Sequence, residues 1–414
     1  MKIPRIKIYL KLKYLFLGLF KKLDISKKNV EKKLCQLMDK KYIQFSGMCR
    51  TSFLVILEYL NKKYPNKKEL IICSYNLKEM VDIARLLNFN IKLIDIKKDI
   101  GIVDIKNLKE KINENTAAVL FTNMFNDSEI LIDLKDFCKK NDIMLIEDNA
   151  IYFGNYSYDG EKKCFSGSFG DVSILSFGIM KNISALYGGA LLTSDKELHE
   201  FANNRISNFQ SFPKILYFKQ IIIFLLLKLF LSKYIYNFFF FYVIQLATTK
   251  KIQILLNLIY PSLKFKKKKT IPKSYYSKIS NHTLKIVDLI LSDQNFNDET
   301  KVRMKNNLFY YSLFKKIEDI KIIEMKDFNF QNLLDFPILV KNKDKLVKYL
   351  FEKGLETRIH FYSNCEEIIE TNDNENSDYY EKNLICLPSH AKINEEKIKE
   401  YQTEIIKFYK LSNE

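Results

Sequence analysis

The chain has 414 residues, 47% hydrophobic and 28% charged, which excludes a disordered protein and leaves room for two domains with a large core. Its formal charge of +18 invites a nucleic-acid reading, yet lysine is abundant throughout and no helix-turn-helix, zinc-finger or RNP-type pattern accompanies it, so no nucleic-acid partner is expected. Seven scattered cysteines without a CxxC pair, and four distant histidines without an HExxH or Cys/His cluster, point to reduced thiols and no metal site.

In chain order, residues 1–30 open as MKIPRIKIYLKLKYLFLGLFKKL, a basic and apolar helical segment. It lacks a small-residue cleavage site and is not read as a signal peptide; a helix lying on a membrane and a helix packed on the domain surface both fit it. Within 31–210, strand-length apolar runs alternate with helix-length segments. The runs are ELIICSY (69–75), IKLIDI (91–96), AAVLFTN (117–123), IMLIEDN (143–149), VSILSF (172–177) and GALLT (189–193). Helices are expected over 51–63, 77–88, 106–115 and 128–141. Continuous rather than alternating hydrophobicity indicates strands buried on both faces, so this region is an α/β domain with a mostly parallel sheet and helices on both sides.

Residues 211–272 are very apolar and aromatic, then strongly basic. One helix over 220–247 would reach about 40 Å, enough to cross a bilayer. Lys228 and Lys233 oppose spanning, at about 2.5–3.5 kcal/mol each near a bilayer centre. A re-entrant or interfacial hairpin, with LKFKKKK (263–269) on anionic head groups, is the expectation; a buried helical hairpin is the alternative. Residues 273–414 read as a smaller α+β domain, with strands in LLDFPILVKN, ETRIHFY and NLICLP and a flexible loop at 370–378.

Ligands of parallel sheets sit beyond the carboxyl ends of the strands. There the chain places Asp148, after IMLIE, and Ser176 and Lys181, after VSIL. No GxGxxG follows a strand, which removes a Rossmann dinucleotide site. A lysine so placed can form a Schiff base, and pyridoxal phosphate pairs such a lysine with a carboxylate that keeps its pyridine nitrogen protonated. Its phosphate needs hydroxyls and helix N-terminal N–H groups, for which Ser176 and GMCRTS (47–52) are candidates.

With these motifs the sequence resembles the sugar aminotransferases of the DegT/StrS type. The stretches that carry the resemblance are SGMCRTSF (46–53), ICSYNLKEMVDIARLLNFNIKLIDI (72–96), LIEDNAIYFGN (145–155) and GDVSILSFGIMKN (170–182). They are followed by GGALLTSDKEL (188–198), DFPILVKNKDKLVKYLFEKGLETRIHFY (335–362) and NLICLPSHAKINEEKI (383–398). The resemblance implies fold type I: a mostly parallel seven-stranded sheet with helices on both faces, and a smaller α+β C-terminal domain. The 211–272 segment is an apolar helical insertion foreign to that pattern. Lys181 would bind the cofactor's aldehyde and shuttle the substrate proton, Asp148 would hold the pyridinium nitrogen, and Ser176, Arg50 and Thr51 would hold the phosphate. Asn281 would reach the phosphate in a partner subunit of a homodimer. Three positions depart from the pattern: Ile151 replaces a Gln or His beside the phenolic oxygen, Leu77 replaces a ring-stacking aromatic, and Tyr187 replaces a Glu before the GG pair.

The function so implied is transfer of an amino group from glutamate to a keto-sugar, nucleotide- or lipid-linked, in the making of a cell-surface polysaccharide or glycan. The location expected is cytoplasmic, peripheral or monotopic on the inner face of the membrane. The alternatives are an inactive or regulatory relative, suggested by the three departures, and a sugar dehydratase. The family's dehydratases carry histidine where this chain has Lys181.

Overall fold

The computed structural model describes residues 1–20, 27–99, 101–125, 130–259, 265–324 and 332–413. Seven strands form the main sheet: β1 (Tyr42–Ser46), β2 (Glu69–Cys73), β3 (Asn90–Ile94), β4 (Thr116–Thr122), β5 (Met144–Asp148), β6 (Val172–Ser176) and β7 (Gly189–Thr193). Their spatial order is β1-β7-β6-β5-β4-β2-β3. Strands β2 to β6 run parallel, and β7 runs against both its neighbours.

Successive residues on a strand point to opposite faces, and here both faces are covered. Ile71, Val119, Phe121 and Leu145 enter one core, shared with Phe336, Ile338 and Leu387 of the C-terminal domain. Leu70, Ile72, Leu120 and Ile146 enter another, against Phe53 and Leu57 of helix Cys49–Lys63. That double burial is why these strands read as unbroken apolar runs.

The C-terminal domain holds an antiparallel sheet of β8 (Ile320–Ile322), β9 (Asp335–Val340), β10 (Arg358–Ile359) and β11 (Leu384–Pro388), in the order β8-β9-β11-β10. The strand expected across ETRIHFY stops at Ile359. The chain leaves the sheet because Ser363 and Asn364 pair with Asn76 and Tyr75, which draws residues 360–362 toward the main sheet. The loop expected at 370–378 is also different: helix Glu375–Asn383 begins inside it. The Asp95 carboxylate accepts from the N–H groups of Asn376 and Ser377, both at 2.9 Å, and anchors that turn.

Residues 210–211 pair in parallel with 277–278, closing the neck of the insertion. Inside it, helices Lys214–Phe230 and Lys233–Thr249 meet at a bend of 70°. The second arm contains a π-turn, Tyr236–Phe240, and the bend lets Tyr236, Phe241 and Ile244 enter the C-terminal core. Part of the basic run at 263–269 falls outside the described residues. At the N-terminus, helix Leu12–Phe20 packs on helix Asn281–Leu291, where a Cβ at Gly18 would lie 2.6 Å from Ile286.

Candidate active site

Register places Thr122, Asp148 and the end of β6 side by side at one edge of the sheet. Two adjacent carboxylates there have separate tasks. Glu147 points into the protein and accepts from Asn123 Nδ2 (2.8 Å) and from the N–H groups of Gly167 (2.6 Å), Phe169 (3.1 Å) and Gly170 (3.0 Å), which fixes the loop leading into β6. Asp148 points the other way and accepts from the Ala150 N–H at 2.9 Å. Burial pushes its carboxyl up to about 6, against the pull of that N–H and of the Lys181 charge, with Glu147 adding to the rise.

Lys181 lies on the loop between β6 and β7. Phe177 N–H donates to Gly188 O (2.9 Å), Ala185 N–H to Phe177 O (2.9 Å) and Lys181 N–H to Gly178 O (3.0 Å). Asn182 Nδ2 donates to Phe153 O (2.7 Å) and ties this loop to the segment after Asp148. The lysine–asparagine pair therefore divides its work: one side chain anchors, the other stays in the site. Lys181 Nζ is 5.2 Å from the centre of the Phe361 ring. Burial pulls its amine down to about 8; Arg358 and Arg50 assist, while Asp148 and Cys49 oppose.

Helix Cys49–Lys63 begins beside the β7 start without a side-chain cap at Met48. A Cβ at Gly189 would lie 2.4 Å from Cys49 N, so only glycine lets the helix N-terminus come this close. Such an N-terminus offers N–H groups and a positive dipole end to an anion. Arg50 Nη1 donates to the Tyr275 hydroxyl at 3.1 Å and lies 3.9 Å from Glu79. Ser176 Oγ accepts weakly from Gly178 N–H at 3.5 Å, a role that leaves its own hydrogen to give.

Thr51 differs from expectation. Its hydroxyl donates to Tyr275 O at 2.6 Å and its N–H to Met48 O at 3.1 Å, so both its donors are used inside the chain. It builds the wall of the site rather than facing an anion. Ile151 is buried in the apolar core beside Phe125 and His360. Leu77 is half-buried at the start of helix Lys78–Leu86, its N–H held by Asn76 Oδ1 at 2.7 Å. Half-buried Tyr187 packs on Phe212, with ring centres 4.6 Å apart. Asn281 is exposed, in the first turn of helix Asn281–Leu291.

Strand β10 and the segment that leaves it bring their own residues. Arg358 Nη1 donates to Asp335 at 2.6 Å and its guanidinium stands over the Phe361 ring. His360 bonds the Tyr75 hydroxyl through Nδ1 at 3.0 Å; burial, with Arg358, Lys343 and Lys181, holds it well below the usual range and hence neutral. A cavity of about 180 Å³ opens beyond it, lined in part by Tyr75, Lys78, Lys343 and Glu381. Another, of about 640 Å³, lies between Met38, Phe153, Lys163 and Met304 and touches neither Asp148 nor Lys181. Tyr275 and Phe361 escape a reading of the sequence, since no local pattern links residues so far apart in the chain.

The model of the DegT/DnrJ/EryC1/StrS aminotransferase family matches residues 23–212 and 290–405. The chain belongs to this family. Among curated proteins it is similar to a UDP-4-amino-4,6-dideoxy-N-acetyl-beta-L-altrosamine transaminase of Helicobacter pylori, 25% identical over 41% of this chain and 44% of that one. It is 22% identical, over 91% of itself and 88% of the relative, to a dTDP-4-amino-4,6-dideoxy-D-glucose transaminase of Shigella dysenteriae. The chain spans less than half the length of the first curated relatives it matches. Among solved structures, Helicobacter pylori PseC, an aminotransferase involved in the biosynthesis of pseudoaminic acid, superposes with a TM-score of 0.73 at 18% identity, covering 98% of this chain and 99% of that one. The fold is thus that of fold type I enzymes, and the family's cofactor is pyridoxal phosphate.

The residues present fit that cofactor. A buried carboxylate with no cation within 4.0 Å among the described residues, an amine made easy to deprotonate, an uncapped helix N-terminus and a free-handed serine hydroxyl answer its ring nitrogen, aldehyde and phosphate in turn.

Proposed function

We propose that the protein is a pyridoxal-phosphate-dependent aminotransferase that takes an amino group from glutamate and gives it to the keto group of a nucleotide- or lipid-linked sugar. The observation that carries this reading is the pairing of Asp148 and Lys181 across the ends of β5 and β6, with the lysine amine pulled down to about 8. Asp148 would hold the cofactor's ring nitrogen protonated, and Ser176, Arg50 and the first turn of helix Cys49–Lys63 would hold its phosphate. When bound, the cofactor supplies an aldehyde that condenses with amines and a ring that draws electrons from the bond being broken. Lys181 Nζ, neutral in part at pH 7–8, would take the proton from the substrate carbon and return it. Phe361 stands beside that amine, its ring centre 5.2 Å from Nζ. Exposed Asn281 would complete the phosphate site of a second subunit, which makes the working unit a homodimer.

Ile151, which stands where the resemblance implies a Gln or His beside the ring's phenolic oxygen, would offer that oxygen no hydrogen bond, and this favours the alternative of an inactive relative. One experiment separates the two. The protein is reconstituted with pyridoxal phosphate, treated with borohydride and mapped; label on Lys181, and loss of the yellow absorbance on adding glutamate, are expected. Label on Lys181 with no response to glutamate or any other amino donor makes it a binding relative, and label elsewhere overturns the assignment. Lys181 itself argues against a dehydratase.

A further inference from the structure

The family match leaves out residues 213–289, and that stretch bears the molecule's most unusual surface. On helix Lys214–Phe230, Ile215, Phe218, Ile222, Leu225, Leu226 and Leu229 all face outward, at spacings that form one helical stripe, while Tyr217 and Phe224 are buried. The second arm repeats the arrangement: Tyr234, Phe238, Phe239, Tyr242 and Leu246 face outward, and Tyr236, Phe241, Ile244 and Ala247 are buried. Ile215 is 83% exposed and Phe238, near the bend, 79%. A helix on a soluble surface turns its apolar stripe inward and charges outward; these arms are apolar on both sides, and an exposed patch of that kind marks an interaction surface.

Charge identifies the partner. Residues 211–272 contain eleven lysines and no Asp or Glu, whereas the rest of the chain mixes 49 acidic with 56 basic side chains. Lys214, Lys219 and Lys233 are exposed on the arms themselves. Lys228 is not one of this set, since its Nζ turns inward to Ile8 O at 3.0 Å. A two-fold interface would set the patch against itself, lysine against lysine. A layer of anionic head groups supplies the missing charge and takes the apolar stripe below it. No single described helix is long and apolar enough to cross a bilayer; the bent pair together is, but its 70° bend and its inner faces, packed into the protein through Tyr217, Phe224, Tyr236 and Phe241, favour lying on the surface over a crossing.

We infer that the bent pair is a monotopic docking surface for an anionic phospholipid bilayer, with the outer stripe at the acyl boundary and the lysines among the head groups. Leu12, Phe16 and Phe20 are exposed on the neighbouring helix Leu12–Phe20, whose Gly18 carbonyl bonds His282, itself packed on Tyr217. They extend the same chemistry. The inference rests on the surface and not on the reaction at Lys181, so the two fail separately.

The test is flotation of the full-length holoprotein with vesicles of phosphatidylcholine alone or mixed with phosphatidylglycerol, at low and high salt. The parent should float with the anionic vesicles at low salt and, by about tenfold, less with phosphatidylcholine alone. Phe238→Asp/Phe239→Asp and Leu225→Asp/Leu226→Asp should abolish flotation while leaving thermal stability and bound cofactor as in the parent, because those side chains are already exposed. Lys214→Glu/Lys219→Glu/Lys233→Glu should remove the salt-sensitive part of the binding. A parent protein that stays monodisperse without detergent and ignores anionic vesicles at low salt overturns the inference. So do aromatic variants that turn a dimer into a monomer in light scattering with no vesicle binding to lose, which would make the face a subunit interface.

Discussion

Asp148 is a carboxylate placed where it costs stability. Folding raises its pKa from an ordinary 3.8 to about 6, so between those values the folded chain binds the proton more tightly than the unfolded one. Its stabilising contribution is present at low pH and is lost as pH rises through 6; the ionised group at pH 7 costs about 3 kcal/mol. Asp148→Asn should therefore stabilise the apoprotein at pH 7–8, with the difference in Tm closing toward pH 4. The parent's affinity for pyridoxal phosphate should fall as pH drops through about 6, and the variant should bind weakly at every pH. A variant less stable than the parent at pH 7 would contradict this account. Two hydroxyls, those of Thr51 and Ser176, are separable in the same way. Thr51→Val strips the buried Tyr275 carbonyl of its donor and should cost about 1–3 kcal/mol of stability in denaturant titrations, with a modest effect on cofactor affinity. Ser176→Ala should do the reverse, weakening the cofactor with little change in stability.

At the scale of elements the site depends on a close approach of helix Cys49–Lys63 to β7. Gly189→Ala would force a Cβ to within 2.4 Å of a backbone nitrogen that cannot swing aside, so the helix start must retreat from the strand. The expected outcome is a loss of cofactor affinity of about tenfold or more, read by absorbance titration, with the circular dichroism spectrum retained. The same scale shows what a sequence announces. The five parallel strands and the Asp148 and Lys181 turns are legible because burial on both faces leaves unbroken apolar runs, and polar residues then interrupt those runs at the strand ends. Edge strand β1 is not, since Gln44 and Ser46 interrupt its apolar pattern. Tyr275, whose side chain and carbonyl hold Arg50 and Thr51, carries no signal because its partners are more than 200 residues away, at |i−j| of 225 and 224. The exit of ETRIHFY from its sheet was equally hidden, being decided by pairing with Tyr75 and Asn76 in another domain.

Across the whole molecule, three segments that look separable in sequence meet at one buried carboxylate. Glu356, in the C-terminal domain, is 1% exposed. Its Oε2 accepts from the Arg5 N–H at 2.8 Å and from the Tyr236 hydroxyl of the insertion at 2.5 Å, and its Oε1 lies 3.4 Å from Arg5 Nε. The N-terminal stretch is thus a strap across the protein, fixed again where His390 Nε2 meets Pro4 O at 2.7 Å. The insertion is not an appendage either, since removing it would uncover Glu356 together with the core around Phe224 and Phe241. Breaking a buried ion pair from one side leaves a charge without a partner, which costs about 3–5 kcal/mol, whereas replacing both members costs less. Arg5→Ala should accordingly destabilise by that amount in thermal or denaturant unfolding. Arg5→Ala/Glu356→Gln should recover a large part of the loss, because a neutral amide can still meet the Tyr236 hydroxyl. Additive effects of the two substitutions would show that the three segments are held by packing around this carboxylate and not by the charge it carries.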